Sequence, residues 1–230
     1  MKSPVIGRGI ALAFILVFVT WTAFRALGSR PPETPKTPFP TPALDLPLAG
    51  SEGKQTAVLA GGCFWGIQAV FQHLKGVTSA TSGYSGGYVK SPSYESVSMG
   101  VTGHAETVSI TYDPSQISYG QILMVFFSVA HDPTQWNRQG PDTGAQYRSV
   151  IFYTNEDQKR VAEAYIAQLN AAKTYSRKVV TKVEPFKAFY EAEGYHQDYL
   201  KNHPDNPYIV YNDLPKLENL KREFPSLYRL

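Results

Sequence analysis

Residues 56–74 read TAVLAGGCFWGIQAVFQHL: a short apolar run, a double glycine, the chain's only cysteine, then an amphipathic stretch. Thr56 to Ala60 has the length and composition of a buried strand, while Phe64, Ile67, Val70, Phe71 and Leu74 recur at the spacing of one helical face. Gly76 ends that helix. Gly61 and Gly62 therefore turn a strand into a helix, and Cys63 sits at the helix start. Unpaired N–H groups and partial positive charge at a helix N-terminus favour the thiolate, the reactive form of cysteine. A free cysteine is more often a small buried hydrophobe. The flanking glycines and the adjacent Phe64-Trp65 pair point instead to a working thiol.

Working outward, Val108, Ile110 and Tyr112 alternate with Thr107, Ser109 and Thr111 and predict a half-buried strand ending at Asp113-Pro114. A helix is predicted from Ser118 to about Ala130, a strand from Arg148 to Thr154, an Asn155-capped helix to about Lys173, and a strand from Val179 to Val183. Hairpin-like signals at Gly86-Gly87 and Gly103 argue against a purely parallel sheet. The expected class is α+β, a two-layer sandwich. Phe189 to Leu230, rich in tyrosine, proline and charge, is expected to be mostly irregular chain packed over the domain.

With 43% hydrophobic and 18% charged residues in 230, the chain can bury one substantial core. A formal charge of +3 without a basic, aromatic-interleaved stripe gives no footprint for nucleic acid. Residues 9–24 are uncharged and mostly apolar, preceded by Lys2 and Arg8. Ala26-Leu27-Gly28 favours signal cleavage before Ser29, whereas Trp21 and Arg25 favour an uncleaved membrane anchor, and both readings stand. Either places the remainder outside the cytoplasm, on the periplasmic or extracellular face. Prolines at 31, 32, 35, 38, 40, 42 and 47 make 30–55 an extended linker. The expected division is thus 1–29 signal or anchor, 30–55 linker, and 56–230 catalytic domain. An exported chain ordinarily pairs its cysteines, and Cys63 has nothing in the chain to pair with.

Glu106 opens the alternating strand. Lodged near aromatics it would be desolvated, stay protonated and serve as a general acid, although most strand-edge glutamates are simply solvated. His104 and His131 lack partners at metal-ligand spacing, so no metal is expected. His196, with Tyr199 close behind it, is the histidine best suited to support a site. Phe64 and Trp65 could wall a small apolar pocket or belong to the core. Two other functions fit a lone thiol: a Cys-His acyl transferase or peptidase using His104 or His196 as base, and a tethered binding module for oxidised or methionine-rich segments.

Gly61 to Gly66 (GGCFWG), Gly83-Tyr84-Ser85-Gly86-Gly87, Tyr94, Gly103-His104-Ala105-Glu106, His131 to Gln135, and Asp142 through Tyr147 to Ser149 together resemble methionine sulfoxide reductase A, from about Thr56 to Tyr208. The resemblance implies a ferredoxin-like core within the sandwich and reduction of the S epimer of methionine sulfoxide. It makes Cys63 the nucleophile and Glu106 the acid. Phe64 and Trp65 become the pocket for the methyl group, Tyr94 and Tyr147 hydroxyl donors, and Asp142 a pocket-positioning residue. No cofactor is implied. Partners would be oxidised proteins and a thioredoxin-like reductant. Many family members carry resolving cysteines near the C-terminus, but Asn206 to Asp213 here contains none, so an external thiol must reduce Cys63 directly.

Overall fold

The computed structural model describes residues 38–48 and 53–230. Strands β1 (Gln55–Gly61), β2 (Val77–Ser85), β3 (Ala105–Tyr112), β6 (Ser149–Tyr153), β7 (Lys182–Pro185) and β8 (Phe189–Glu191) form one sheet, while β4 (Arg138–Gln139) and β5 (Asp142–Thr143) make a small separate ladder. The large sheet runs β7-β6-β1-β3-β2-β8. All its pairs are antiparallel except β6 with β7, so the sheet is mixed.

The inner order β6-β1-β3-β2, with helix α1 (Phe64–Gln72) linking β1 to β2, is the ferredoxin-like arrangement. Two strands joined by a helix cannot be immediate hairpin partners, so β3 enters between them and pairs with both. Alternation along β1 sends Ala57 and Leu59 to one face and Val58 and Ala60 to the other. The first face meets Ile67, Val70 and Phe71 of α1, Ile122 and Leu123 of α3 (Tyr119–Val125), and Val161 and Tyr165 of α4 (Glu156–Ala171). The second packs with Val150 and Phe152 under Phe186 and Phe189.

Several elements depart from the expectations. The helix predicted to reach Ala130 is α-helical only to Val125, then widens into a π-helical turn over Phe126–Ala130. The strand expected at Val179 begins at Lys182. The segment after Phe189 is more ordered than expected: it adds β8, α5 (Tyr199–Asn202), a π-helical turn at Ile209–Asp213 and α6 (Leu214–Glu223). Leu214, Leu217 and Leu220 lie on one face of α6 and pack into the cores, with Pro215 tolerated in its first turn. Part of the predicted linker is also docked. Asp45 accepts hydrogen bonds from Gly120 N–H (2.7 Å) and Ser118 Oγ (2.5 Å), and Tyr165 donates to the Pro40 carbonyl (2.6 Å), so residues 38–48 form a strap over α3 and α4. The signal-or-anchor segment lies outside the described residues. Among the described residues no helix is long and apolar enough to cross a membrane.

Candidate active site

Cys63 is the N-cap of α1, at the end of β1 as the sequence predicts. The turn that delivers it requires glycine at 62, where φ is +109° and a Cβ would lie 2.5 Å from Gln139 Cγ. Glu106 stands on β3 in register with Tyr84 and is 2% exposed. The Phe64 N–H at the start of α1 donates to Glu106 Oε2 at 3.1 Å. Burial lifts the Glu106 pKa to about 8 despite that hydrogen bond, with nearby Asp142 and Asp213 adding to the rise. At neutral pH this carboxyl is largely an acid, as expected for a buried strand glutamate.

Cys63 departs from expectation. Its sulfur is buried, and desolvation followed by the charges of Glu106 and Asp213 pushes the thiol well above its ordinary pKa. The Trp65 N–H at the start of α1 does pull the pKa down as predicted, but burial and the two nearby carboxylates outweigh it. Glu106 takes the Phe64 N–H, and the Asp213 carboxylate lies so close to Gly66 that a Cβ there would be 2.1 Å from Oδ1. The resting sulfur is a thiol.

Cys63, Glu106, Phe64, Trp65, Tyr94, Asp142 and Tyr147, the residues expected to bind and react, line one cavity of about 300 Å³ together with Asn206 and Tyr208. Phe64 is fully buried, so it contributes a fixed wall. Trp65 is held from behind. Its Nε1–H donates to His196 Nδ1 (3.1 Å), and its ring stacks on Tyr199 with centroids 3.8 Å apart and planes 8° apart. His196 therefore accepts at Nδ1, and burial lowers its pKa, so it supports the indole as a neutral ring. Tyr94 is anchored by its backbone N–H to Glu193 Oε1 (2.8 Å), while Tyr84 is buried in β2 and donates to Glu193 Oε2 (2.9 Å). Asp142 accepts a 2.5 Å hydrogen bond from Tyr208 across the cavity.

Four residues of the site were not singled out from the sequence. They are Asn206 in the cavity wall, Tyr208 opposite Asp142, and the buried pair Asp213 and Lys216, whose Oδ1 and Nζ lie 2.9 Å apart. Lys216 shares a cavity wall with Cys63. Burial pulls its pKa down, but Asp213 more than offsets this and leaves it raised, so it is a cation. The signals that could have revealed them are the 3-residue spacing of Asp213 and Lys216 and the leucine face of α6.

The two histidines weighed as bases are both committed elsewhere. His104 Nδ1 accepts from Gly87 N–H (3.1 Å) and its Nε2 meets the Val89 carbonyl (2.8 Å), while His196 Nδ1 is taken by Trp65. Neither is placed as the free base of a Cys-His acyl transferase or peptidase. Comparison with known proteins gives the family. The family model described as peptide methionine sulfoxide reductase matches residues 55–227. A protein of Mesorhizobium japonicum named peptide methionine sulfoxide reductase MsrA 2 is 61% identical over 176 residues, covering 76% of this chain and 90% of its own. Two solved structures are similar. Methionine sulfoxide reductase A of Corynebacterium diphtheriae has a TM-score of 0.58 at 34% identity, covering 68% of this chain and 78% of its own. Mxr1 of Saccharomyces cerevisiae in reduced form has a TM-score of 0.59 at 33% identity, covering 66% and 87%. The chain belongs to the peptide methionine sulfoxide reductase family and reduces methionine sulfoxide to methionine, without a prosthetic cofactor.

Proposed function

We propose that the chain reduces the S epimer of methionine sulfoxide through a sulfenic acid on Cys63, which an external thiol then returns to the thiol. The observation that carries this reading is the neutral Glu106 carboxyl in the same cavity as the cysteine. Glu106 Oε2 is committed to the Phe64 N–H, which leaves Oε1 to carry the proton toward a sulfoxide oxygen. As that proton moves, the sulfur becomes electrophilic and Cys63 Sγ attacks it. Glu106 takes the thiol proton, oxygen passes to Cys63, and methionine leaves. Cys63–SH and sulfoxide thus become Cys63–SOH and thioether, with no atom unaccounted for.

Trp65 and Phe64 hold the methyl group against aromatic faces, and the hydroxyls of Tyr94 and Tyr147 meet the oxygen. Asp142, fixed by Tyr208, orients the other side of the pocket. With one cysteine in the chain, recycling draws on thioredoxin, a thioredoxin-like protein or a small thiol. The basic, then apolar, start of the chain supports export, with the enzyme repairing oxidised proteins outside the cytoplasm.

Blocked methionine S- and R-sulfoxides offered separately test the reading. Turnover of the S form alone is expected. One equivalent of it without reductant should add one oxygen to the enzyme by mass spectrometry, and an unmodified thiol after methionine release would overturn the sulfenic acid.

A further inference from the structure

Cys63 is reached from two cavities. Besides the substrate pocket, a second cavity of about 250 Å³ opens on it, with Lys216, Asn219, Asn212, Ser128 and Gln139 among its walls. Of the residues around the two, both cavities use Cys63 and Tyr208 and no other. Tyr208, pinned to Asp142 at 2.5 Å, is therefore the partition between them. The sulfoxide half of the reaction has no use for the second cavity.

The recycling half does. Under the proposed function, on which this inference rests, oxygen arrives on Sγ from the substrate pocket and stays on the Glu106 side. A nucleophile attacking that sulfur must approach roughly in line with the S–O bond that breaks, from a side other than the oxygen's own. We infer that the second cavity is the entry for the external thiol that reduces the Cys63 sulfenic acid, with Lys216 holding the incoming thiolate. Lys216 Nζ uses one hydrogen bond on Asp213, and an ammonium has three donors, so it can also meet a sulfur anion.

The chemistry closes. The first thiolate attacks Sγ, an S–S bond forms, the S–O bond breaks, and hydroxide leaves as water with the Glu106 proton, which the proton shed by that thiol replaces. A second thiol attacks the outer sulfur of the mixed disulfide. Cys63 returns to the thiol and one disulfide departs, so two thiols are oxidised for each sulfenic acid reduced.

The test separates the two halves in the full chain. Sulfenic acid is formed with one equivalent of S-sulfoxide, then its reduction is timed with 2-mercaptoethanol and, in a second arm, with thioredoxin. Asn219→Trp puts an indole into the cavity, and Lys216→Met removes the cation while Lys216→Arg restores it. Each of the first two should slow reduction at least tenfold more than it slows sulfenic acid formation, with Lys216→Arg recovering most of the rate. Slowing in the 2-mercaptoethanol arm identifies a free thiol as the occupant, and slowing only with thioredoxin identifies a thiol presented by a protein. Wild-type recycling in both arms overturns the inference alone. A wild-type enzyme that forms no sulfenic acid overturns the reading beneath it and the inference together.

Discussion

Two stretches of chain build this site in opposite ways. Residues 55–112 supply the reacting groups on regular elements: Cys63 at the β1–α1 turn and Glu106 on β3, the strand paired with β1. Residues 189–230 supply the surroundings from short turns and helices: His196 and Tyr199 behind Trp65, Tyr208 across the pocket, and Asp213 and Lys216 beside the sulfur. The first stretch is held by a backbone ladder. Beyond the short β8 ladder, the second leans on side chains bonded to partners more than a hundred residues away, such as Gln197 to Ser82 and Asp198 N–H to Gln68. The difference teaches that the bond-making atoms ride on rigid elements, while the groups that tune and partition the site come from a wrapped tail.

Breaking the first stretch should have the largest effect. Glu106→Gln removes the acid, and kcat/KM for the S-sulfoxide should fall by about 10² to 10⁴. Wild-type turnover should itself decline as pH rises through about 8, where Glu106 loses its proton. The folded pKa is raised above the unfolded value near 4.5, so the folded state keeps a proton that the unfolded state sheds. Wild-type stability should therefore fall as pH rises from about 4.5 to about 8, and Glu106→Gln should lack that fall. A pH series of denaturant melts reads this directly. An unchanged slope would mean that Glu106 is not held neutral.

Breaking the second stretch should be milder. Tyr208→Phe deletes the hydrogen bond to Asp142, and a loss of about tenfold in kcat/KM is expected, near 1.4 kcal/mol for one bond to a charged partner. A loss as large as that of Glu106→Gln would place reacting chemistry on the tail and dissolve the contrast. The strap provides the control, since it is also irregular chain but touches neither cavity. Asp45→Ala should lower the denaturant midpoint by the equivalent of about 1 kcal/mol at constant m and leave kcat unchanged. A change in kcat would show that the strap is coupled to the site.

The legibility of the sequence follows the same division. β3, α1 and α4 could be read because their apolar residues keep a period of two or 3.6, and β1 and β6 because each is a short continuous apolar run. Val77 to Ser85 could not. It reads VTSATSGYS, without alternation, and is a strand because it is paired on both sides. The short α2 (Tyr94–Ser98) carries too few residues for a period, although its Ser93 capping box is a local signal. Tyr208 and Lys216 sit in a stretch whose tyrosines and charges look like surface, and only their position opposite Asp142 and beside Cys63 gives them a role.

The sequence by itself determined the strand–turn–helix that presents a lone thiol and the strand that carries Glu106, because local periodicity and glycine geometry are written in adjacent residues, while the pocket residues around them were legible only through the resemblance. Only the tertiary structure decided the state of that thiol and its surroundings. Charge and desolvation act through space, so burial and the carboxylates of Glu106 and Asp213, brought from distant parts of the chain, outweigh the helix end's pull toward a thiolate, and Cys63 rests protonated between two cavities.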